Sequence, residues 1–355
     1  MIMDRMEQML REFTGAAGVS GAEREVFALM EKHLAGIVET GRDRLGSFIG
    51  RLARGADRPR VMLAAHMDEI GMMVSHFTGS FVRFNTLGGW WPPHLVGMPV
   101  SILTSHGDIP GVVASRSPFA MERDEREKPI KAKDLFVDVG LFGDRSPERL
   151  HIRPGDPIVP VCPFTPLAGG KTFLAKAWDD RIGCAAVVEA MRRLSRMKIP
   201  GCVYGVGTVQ EEVGIRGAVT SGRSVDPDVC LAVDVSIAQD TPGAPEGNPE
   251  ALGAGVSICV YDATLIPNTK LRDLVTGVAD RARIPYHFSA VPYGGTDGGR
   301  IHLNESGVPT LVVGVPARHI HSAAGIIHRK DFDGAVKLLV ETVRALDAKT
   351  VASLA

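Results

Sequence analysis

The sequence predicts an α/β fold: a mostly parallel sheet covered by helices on both faces, with a small β-barrel inserted into it. Three observations carry this. Val61–Ala65, Val203–Val209, Val229–Val235 and Pro309–Pro316 are continuous apolar runs rather than alternating ones, as expected of strands buried on both faces. Helical patterns alternate with these runs after Gly169-Gly170. Between residues 72 and 165 the texture changes to short β-type runs broken by Gly, Pro and charged turns, with no long amphipathic helix. The 355 residues therefore divide into a main α/β domain, 1–71 and 166–355, and an inserted β-rich unit, 72–165.

Taken in order, residues 3–35 hold two helical patterns separated by Gly15–Gly21, with Ser20 placed to cap the second. Val61–Ala65 follows and ends in His66-Met67-Asp68. The insert contributes the runs Phe81–Phe84, Pro99–Leu103, Gly111–Ala114, Leu135–Val139 and Asp156–Val159. Its charged stretch Glu122–Lys128 reads as a solvated loop, and Trp90-Trp91 as buried packing or a partner surface. Asp179 opens a strong helix with acids in its first turn. Val203–Val209 leads into Glu211-Glu212, and Val229–Ser236 carries Asp234 inside an apolar run, where a carboxylate needs a partner. A helix over 270–283, the strand ending before Arg318-His319-Ile320-His321, and a helix over 331–347 complete the chain.

Lysine plus arginine number 40 against 41 acids, a formal charge of -1, so no global field favours nucleic acid or an anionic membrane. The N-terminus lacks a long apolar leader core and no later run approaches a bilayer span, so a cytoplasmic location is expected. Of five cysteines (Cys162, Cys184, Cys202, Cys230, Cys259) without a Cys-x-x-Cys spacing, most read as small core hydrophobes, with a catalytic cysteine as the alternative.

Parallel sheets place their sites beyond the carboxyl ends of the strands. His66, Glu211, Glu212, Asp234 and His321 all fall at or just past predicted strands, and Asp179 opens a helix. Two imidazoles with several carboxylates suit zinc, cobalt or manganese, and the lack of thiolates argues against a closed structural zinc site. Two such ions bridged by one carboxylate, ~3.5–4 Å apart, would leave one glutamate as a general base. His66 and Asp68 point the same way from extended backbone, so the carboxylate can orient the imidazole.

The stretches His66-Met-Asp-Glu-Ile-Gly, Lys176-Ala-Trp-Asp-Asp-Arg-Ile-Gly, Gln210-Glu-Glu-Val-Gly, Ala232-Val-Asp and Arg318-His-Ile-His-Ser, in this order, resemble the motif series of the tetrahedral aminopeptidases, a family of dinuclear metallopeptidases. Ser20-Gly-Ala-Glu, Asp134-Leu-Phe-Val-Asp-Val-Gly and Gly295-Thr-Asp-Gly-Gly fit the same family. The resemblance implies that Asp179 bridges two divalent ions, that His66 and Asp234 complete one site, and that Glu212 and His321 complete the other. It also implies Glu211 as the base that deprotonates water, with Asp68 orienting His66. On sequence alone His319 competes with His321, and Asp180 with Asp179. The expected activity is release of N-terminal residues from short peptides. Hydrolysis of N-acyl amino acids, a glycan hydrolase and a non-catalytic shell protein are the alternatives. The family also implies dimers formed through the insert and a tetrahedral dodecamer.

Departures from the family pattern are His319 after Arg318, Ala323-Ala324-Gly325 after the His-Ser pair, and Ser47 after Leu45-Gly46; none removes a ligand. Gly294–Gly299 lacks the lysine of a phosphate loop and reads as a tight turn positioning Asp297. Ser236 and Ser322 have no triad spacing.

Overall fold

The computed structural model describes residues 3–53 and 56–355; Met1 and Ile2, at the head of the predicted main domain, lie outside the described residues. Helices α1 (Arg5–Gly15) and α2 (Arg24–Leu34) precede strands β1 (Glu39–Arg42), β2 (Phe48–Ala53) and β3 (Arg60–His66). Next come β4 (Gly71–Thr78), β5 (Phe81–Leu87), β6 (Pro99–Thr104), β7 (Gly107–Ala114), a short α3 (Arg123–Arg126), β8 (Phe136–Asp138) and β9 (Pro157–Pro160). The chain then forms β10 (Thr165–Pro166), β11 (Thr172–Ala175), α4 (Trp178–Leu194), β12 (Cys202–Thr208), α5 (Arg216–Val225) and β13 (Val229–Ile237). It closes with β14 (Val256–Asp262), α6 (Thr269–Ala282), β15 (Tyr286–Val291), α7 (Gly298–Ile301), β16 (Thr310–Arg318), β17 (Gly325–His328), α8 (Arg329–Ala345) and α9 (Ala348–Ala352).

The four predicted apolar runs become the neighbouring strands β12, β3, β13 and β16, parallel to one another at the centre of an 11-stranded sheet. Every residue of β12 is buried, and β3, β13 and β16 are buried over nearly their whole length. Small residues in β12 admit the helix layer: a Cβ on Gly205 would lie 2.8 Å from Met191 of α4. The sheet margins are antiparallel and were not read from sequence. They are short or polar, and all four residues of β1 are exposed. Strands β14 and β15 branch from β16 and pair in parallel.

The insert closes into a barrel in the order β4-β5-β8-β7-β6-β9, built between β3 and β10. It encloses its own apolar cluster, including Met72, Val82, Ile102, Val113, Val137 and Ile158, separate from the main core of Phe13, Phe48, Phe173 and Phe332. Trp90 packs against the barrel cluster and donates its ring N–H to the Gly71 carbonyl, whereas Trp91 is exposed. The charged stretch after Met121 is exposed as expected, with one turn of helix, α3, inside it. All five cysteines are free, and all but the half-buried Cys162 are buried.

Two local expectations change. Ser20 does not cap α2: Glu23 stands at that N-cap without a side-chain bond, and Ser20 donates instead to Asp68, 2.6 Å away. Asp179 and Asp180 precede the regular part of α4, since both have non-helical backbone angles. With its backbone out of the helical form, Asp179 meets two imidazoles, His66 Nε2 at 2.9 Å and His321 Nε2 at 3.4 Å.

Candidate active site

Strand β3 delivers His66 at its carboxyl end. The ring Nδ1 lies 3.0 Å from the Asp68 carbonyl oxygen, so it donates there and leaves Nε2, 2.9 Å from Asp179 Oδ1, to face the cavity. Burial disfavours a charged His66, but the carboxylates of Asp179, Asp68 and Glu211 outweigh it and raise its proton affinity.

Asp68 is fully buried and works as a clamp. Its carboxylate accepts the Glu211 N–H at 2.9 Å, the Glu212 N–H at 3.1 Å and the Ser20 hydroxyl at 2.6 Å. Burial pushes its pKa up, yet His66 and these donors hold it below the usual carboxylate range. Its carboxylate stands 3.6 Å from His66 Nδ1, farther than its own carbonyl, so its main hold is on the glutamate pair. The turn before that pair puts Gln210 at φ 57°, and Glu23 accepts the Gln210 N–H at 3.0 Å. Ser20 and Glu23 belong to the Ser20-Gly-Ala-Glu stretch that fits the family, but sequence reasoning assigns neither a role as a site support, because Ser20 stands where a helix cap is expected.

Around His66 the acids crowd. Burial raises Glu211 well above its ordinary pKa, with Asp234, Asp297 and Glu212 adding repulsion against the relief that His66 gives. Burial, then Asp179, lifts both Glu212 and Asp234 to about 8. Glu212 Oε1 is buried with no hydrogen-bond partner among the described residues. Asp179 lies below its usual range, because His321 and His66 overcome burial. His321 Nε2 lies 3.4 Å from Asp179 Oδ2 and 3.7 Å from Glu212 Oε2. Asp179, opposed by burial and aided by Glu212, raises it to about 10.

The insert reaches back into this cluster. His321 Nδ1 lies 2.7 Å from the Gly89 carbonyl, just past β5, which turns Nε2 toward the acids. Its neighbour Gly88 sits at φ 79°, where a Cβ would press on Ile70 and come within 3.0 Å of Glu212. Neither glycine was singled out from sequence; a contact between positions 232 apart leaves no local pattern.

For the pairs left open by sequence, the structure distinguishes positions. His321 faces Asp179 and Glu212, while His319 is exposed and forms no part of the cluster. Asp179 meets both imidazoles, whereas Asp180 accepts the His66 backbone N–H at 3.1 Å and the Gly183 N–H at 3.0 Å. Two overlapping sets, His66/Asp179/Glu212 and His66/Asp180/Asp234, hold their ligand atoms within 4.8 Å of one another. Asp297 is buried at the head of α7, accepts the Thr208 hydroxyl at 2.6 Å, and is pushed by burial to about 6.

Behind the cluster, Arg181 is fully buried and donates to the carbonyls of Met67, Phe13, Ala16 and Gly18. Both Arg181 and Lys176 contact Glu69, at 3.1 and 2.5 Å. This network ties α1, the loop after β3 and α4 together, so the loop that carries Asp68 is braced from behind. In front lies a cavity of about 410 Å³, lined by His66, Asp179, Glu211, Glu212, Asp234 and His321 at one end.

A family model described as M42 glutamyl aminopeptidase matches residues 46–338, and a second, described as AMPT, matches residues 4–30. The chain belongs to the M42 family. It is a metallo-aminopeptidase, a hydrolase of peptide bonds. It is 33% identical to the glutamyl aminopeptidase of Lactococcus lactis subsp. cremoris, covering 97% of each chain. It is 32% identical to the lysyl aminopeptidase of Pyrococcus furiosus, covering 96% of this chain and 98% of that one. A TET aminopeptidase from the marine sediment archaeon Thaumarchaeota archaeon SCGC AB-539-E09 superposes with a TM-score of 0.95 at 40% identity, over 99% of this chain and all 100% of the other. Pyrococcus horikoshii TET1 peptidase, described as able to assemble into a tetrahedron or a large octahedral shell, gives a TM-score of 0.85 at 28% identity over 96% of this chain and 100% of that one. M42 peptidases are metal-dependent, and the acid and imidazole groups above are the ligand types such an ion takes.

Proposed function

We propose that this M42 enzyme releases N-terminal residues from short peptides with two divalent cations held by His66, Asp179, Glu212, Asp234 and His321. Glu211 serves as general base and Asp68 holds it in place. The observation that carries the reading is a buried excess of acid. Glu211, Glu212, Asp179 and Asp234 share one cavity edge, Glu212 Oε1 has no partner there, and Glu212 and Asp234 are raised to about 8. Such a group of carboxylates fits cations of the zinc, cobalt or manganese type, with Asp179 between the two imidazoles as the shared ligand.

When bound, ions of this kind polarise a scissile carbonyl and make water a stronger acid. The chain's own contribution is a proton path and its alignment. Glu211, 9% exposed at the cavity edge and with raised proton affinity, suits accepting a proton from water and returning it to the departing amine. The two N–H bonds to Asp68 fix where the Glu211 and Glu212 side chains start, and His66 is fixed by its own bond to the Asp68 carbonyl. The substrate's free α-amino group is received by the acidic end of the cavity. Glu211→Gln keeps the shape and removes the base. Its metal content should match wild type by elemental analysis while kcat falls by roughly 10²–10⁴. Undiminished turnover would remove Glu211 from this role.

The proposal extends to the insert, residues 72–165, as the dimerisation unit, and to dimers assembling into a tetrahedral dodecamer in the cytoplasm. The resemblance to TET assemblies supports this, and among the described residues no helix is long and apolar enough to cross a membrane. Light scattering should give about twelve times the 38.0 kDa chain.

A further inference from the structure

Away from the acidic cluster, the cavity runs across the sheet over a row of hydroxyls. Asp234 and Ser236 are two apart on β13 and so share a face. Gly314 of β16 stands opposite Asp234, and Ser257 of β14 stands opposite Gly314. Ser289 of β15 follows, accepting the Ser257 hydroxyl at 2.6 Å. A Cβ on Gly314 would lie 2.9 Å from Ser236 Cβ and 3.0 Å from Ser257 Cβ, so the glycine leaves a trough between the two serines. Ser236 is only 6% exposed, lines the cavity, and its Oγ has no hydrogen-bond partner among the described residues. That hydroxyl awaits a group the chain does not supply.

The walls are apolar, from Val235, Ile237, Cys259, Val291 and Val312. Among the described residues, no lysine or arginine lines this cavity. The one carboxylate beyond the cluster, Asp262, is already engaged. One of its oxygens accepts the N–H groups of Thr264 and Leu265 and the Thr264 hydroxyl; the other accepts Thr296 at 3.3 Å. His287, on the same face of β15 as Ser289, is not part of the lining, and burial lowers its proton affinity.

We infer that this trough is the subsite for the substrate's N-terminal side chain, that it takes uncharged side chains, and that Ser236 hydrogen-bonds the polar ones among them. The inference rests on the aminopeptidase reading and deepens it. An acidic side chain in the trough would be buried with no lysine or arginine to pair with, and a lysine would find beyond the cluster only Asp262, whose oxygens already accept four hydrogen bonds. The glutamyl and lysyl preferences in the relatives' names therefore do not carry over to this chain.

The test uses the full-length, metal-loaded enzyme and four tripeptides that end in Ala-Ala and begin with glutamine, glutamate, methionine or lysine. Within each near-isosteric pair the charge is the main variable. kcat/KM should favour glutamine over glutamate by at least ~100-fold and methionine over lysine by at least ~10-fold. If glutamate or lysine is released within threefold of its neutral counterpart, the uncharged subsite is wrong while the peptidase stands. Release of none of the four sinks the peptidase reading and the subsite together. Ser236→Ala should lower the glutamine-to-methionine ratio by ~5-fold or more, in line with one lost hydrogen bond. That ratio is taken within one preparation, so any unfolded fraction cancels, and an unchanged ratio removes Ser236 from the recognition.

Discussion

Metal uptake by this protein should release protons, and the amount should depend steeply on pH. Glu212 and Asp234 are both raised to about 8 by burial and by neighbouring Asp179. At pH 7 each then carries ~0.9 of a proton, and at pH 9 ~0.1. A carboxylate must be ionised to hold a cation, so binding expels what is there. His321, raised to about 10, stays mostly protonated at both pH values and adds nearly one proton to each. The share of the release that comes from these two acids should therefore fall by ~1.6 protons from pH 7 to pH 9. The assay is calorimetric titration of chelator-stripped protein with zinc, in buffers of differing ionisation enthalpy at each pH. The slope of observed heat against buffer enthalpy counts the protons. A count that is flat between pH 7 and pH 9 would refute the placement of Glu212 and Asp234 in the metal centre.

Three other outcomes follow from the same geometry. An acid whose folded pKa lies above its unfolded value binds protons more tightly when folded, so the stripped protein should lose stability as pH rises from about 4.5 to about 8, the range between the ordinary value of Glu212 and its raised one. Melting curves at pH 5 and pH 8 with chelator present should show the lower midpoint at pH 8, and zinc should reverse the order. Asp68→Asn leaves one acceptor oxygen where three donors now converge and turns an amide N–H₂ toward them; chemical denaturation should show a loss of ~2–4 kcal/mol, and kcat should fall further than the folded fraction explains. Phe332→Ala, in the fully buried face of α8, should cost ~3–5 kcal/mol in urea unfolding and leave KM of the folded enzyme unchanged.

What was legible in the sequence follows the range of the forces involved. The central strands announced themselves because burial on both faces demands unbroken apolar runs such as Val229–Val233, and the acids stood out by interrupting or ending them. The barrel was visible as texture, since each short strand carries its own turn residues. Strands β14 and β15 were missed: serines at Ser257 and Ser289 sit where a core strand would carry valine, because that face borders a cavity rather than another layer. Ser20 was misassigned because a serine before a helix is ordinarily a cap, and only the fold shows that Asp68, 48 positions on, takes its hydroxyl. Asp179 was read as helical because its neighbours are strong helix formers; the two imidazoles it meets come from the distant end of β3 and from the loop after β16.

The grip of Gly89 on His321 sets an order in time. The histidine follows every other group of the cluster in sequence, and its carbonyl partner is 232 positions earlier. Synthesis proceeds from the N-terminus at ~5–20 residues per second, and N-terminal units fold first. The barrel with its Gly89 carbonyl, His66 and the glutamate pair are therefore all made before His321 leaves the ribosome. Through those seconds the nascent chain carries an acid pocket missing one of its imidazoles, and a truncated product would carry the same gap. The acid cluster is thus completed only when His321, the last of its groups in sequence, has been made.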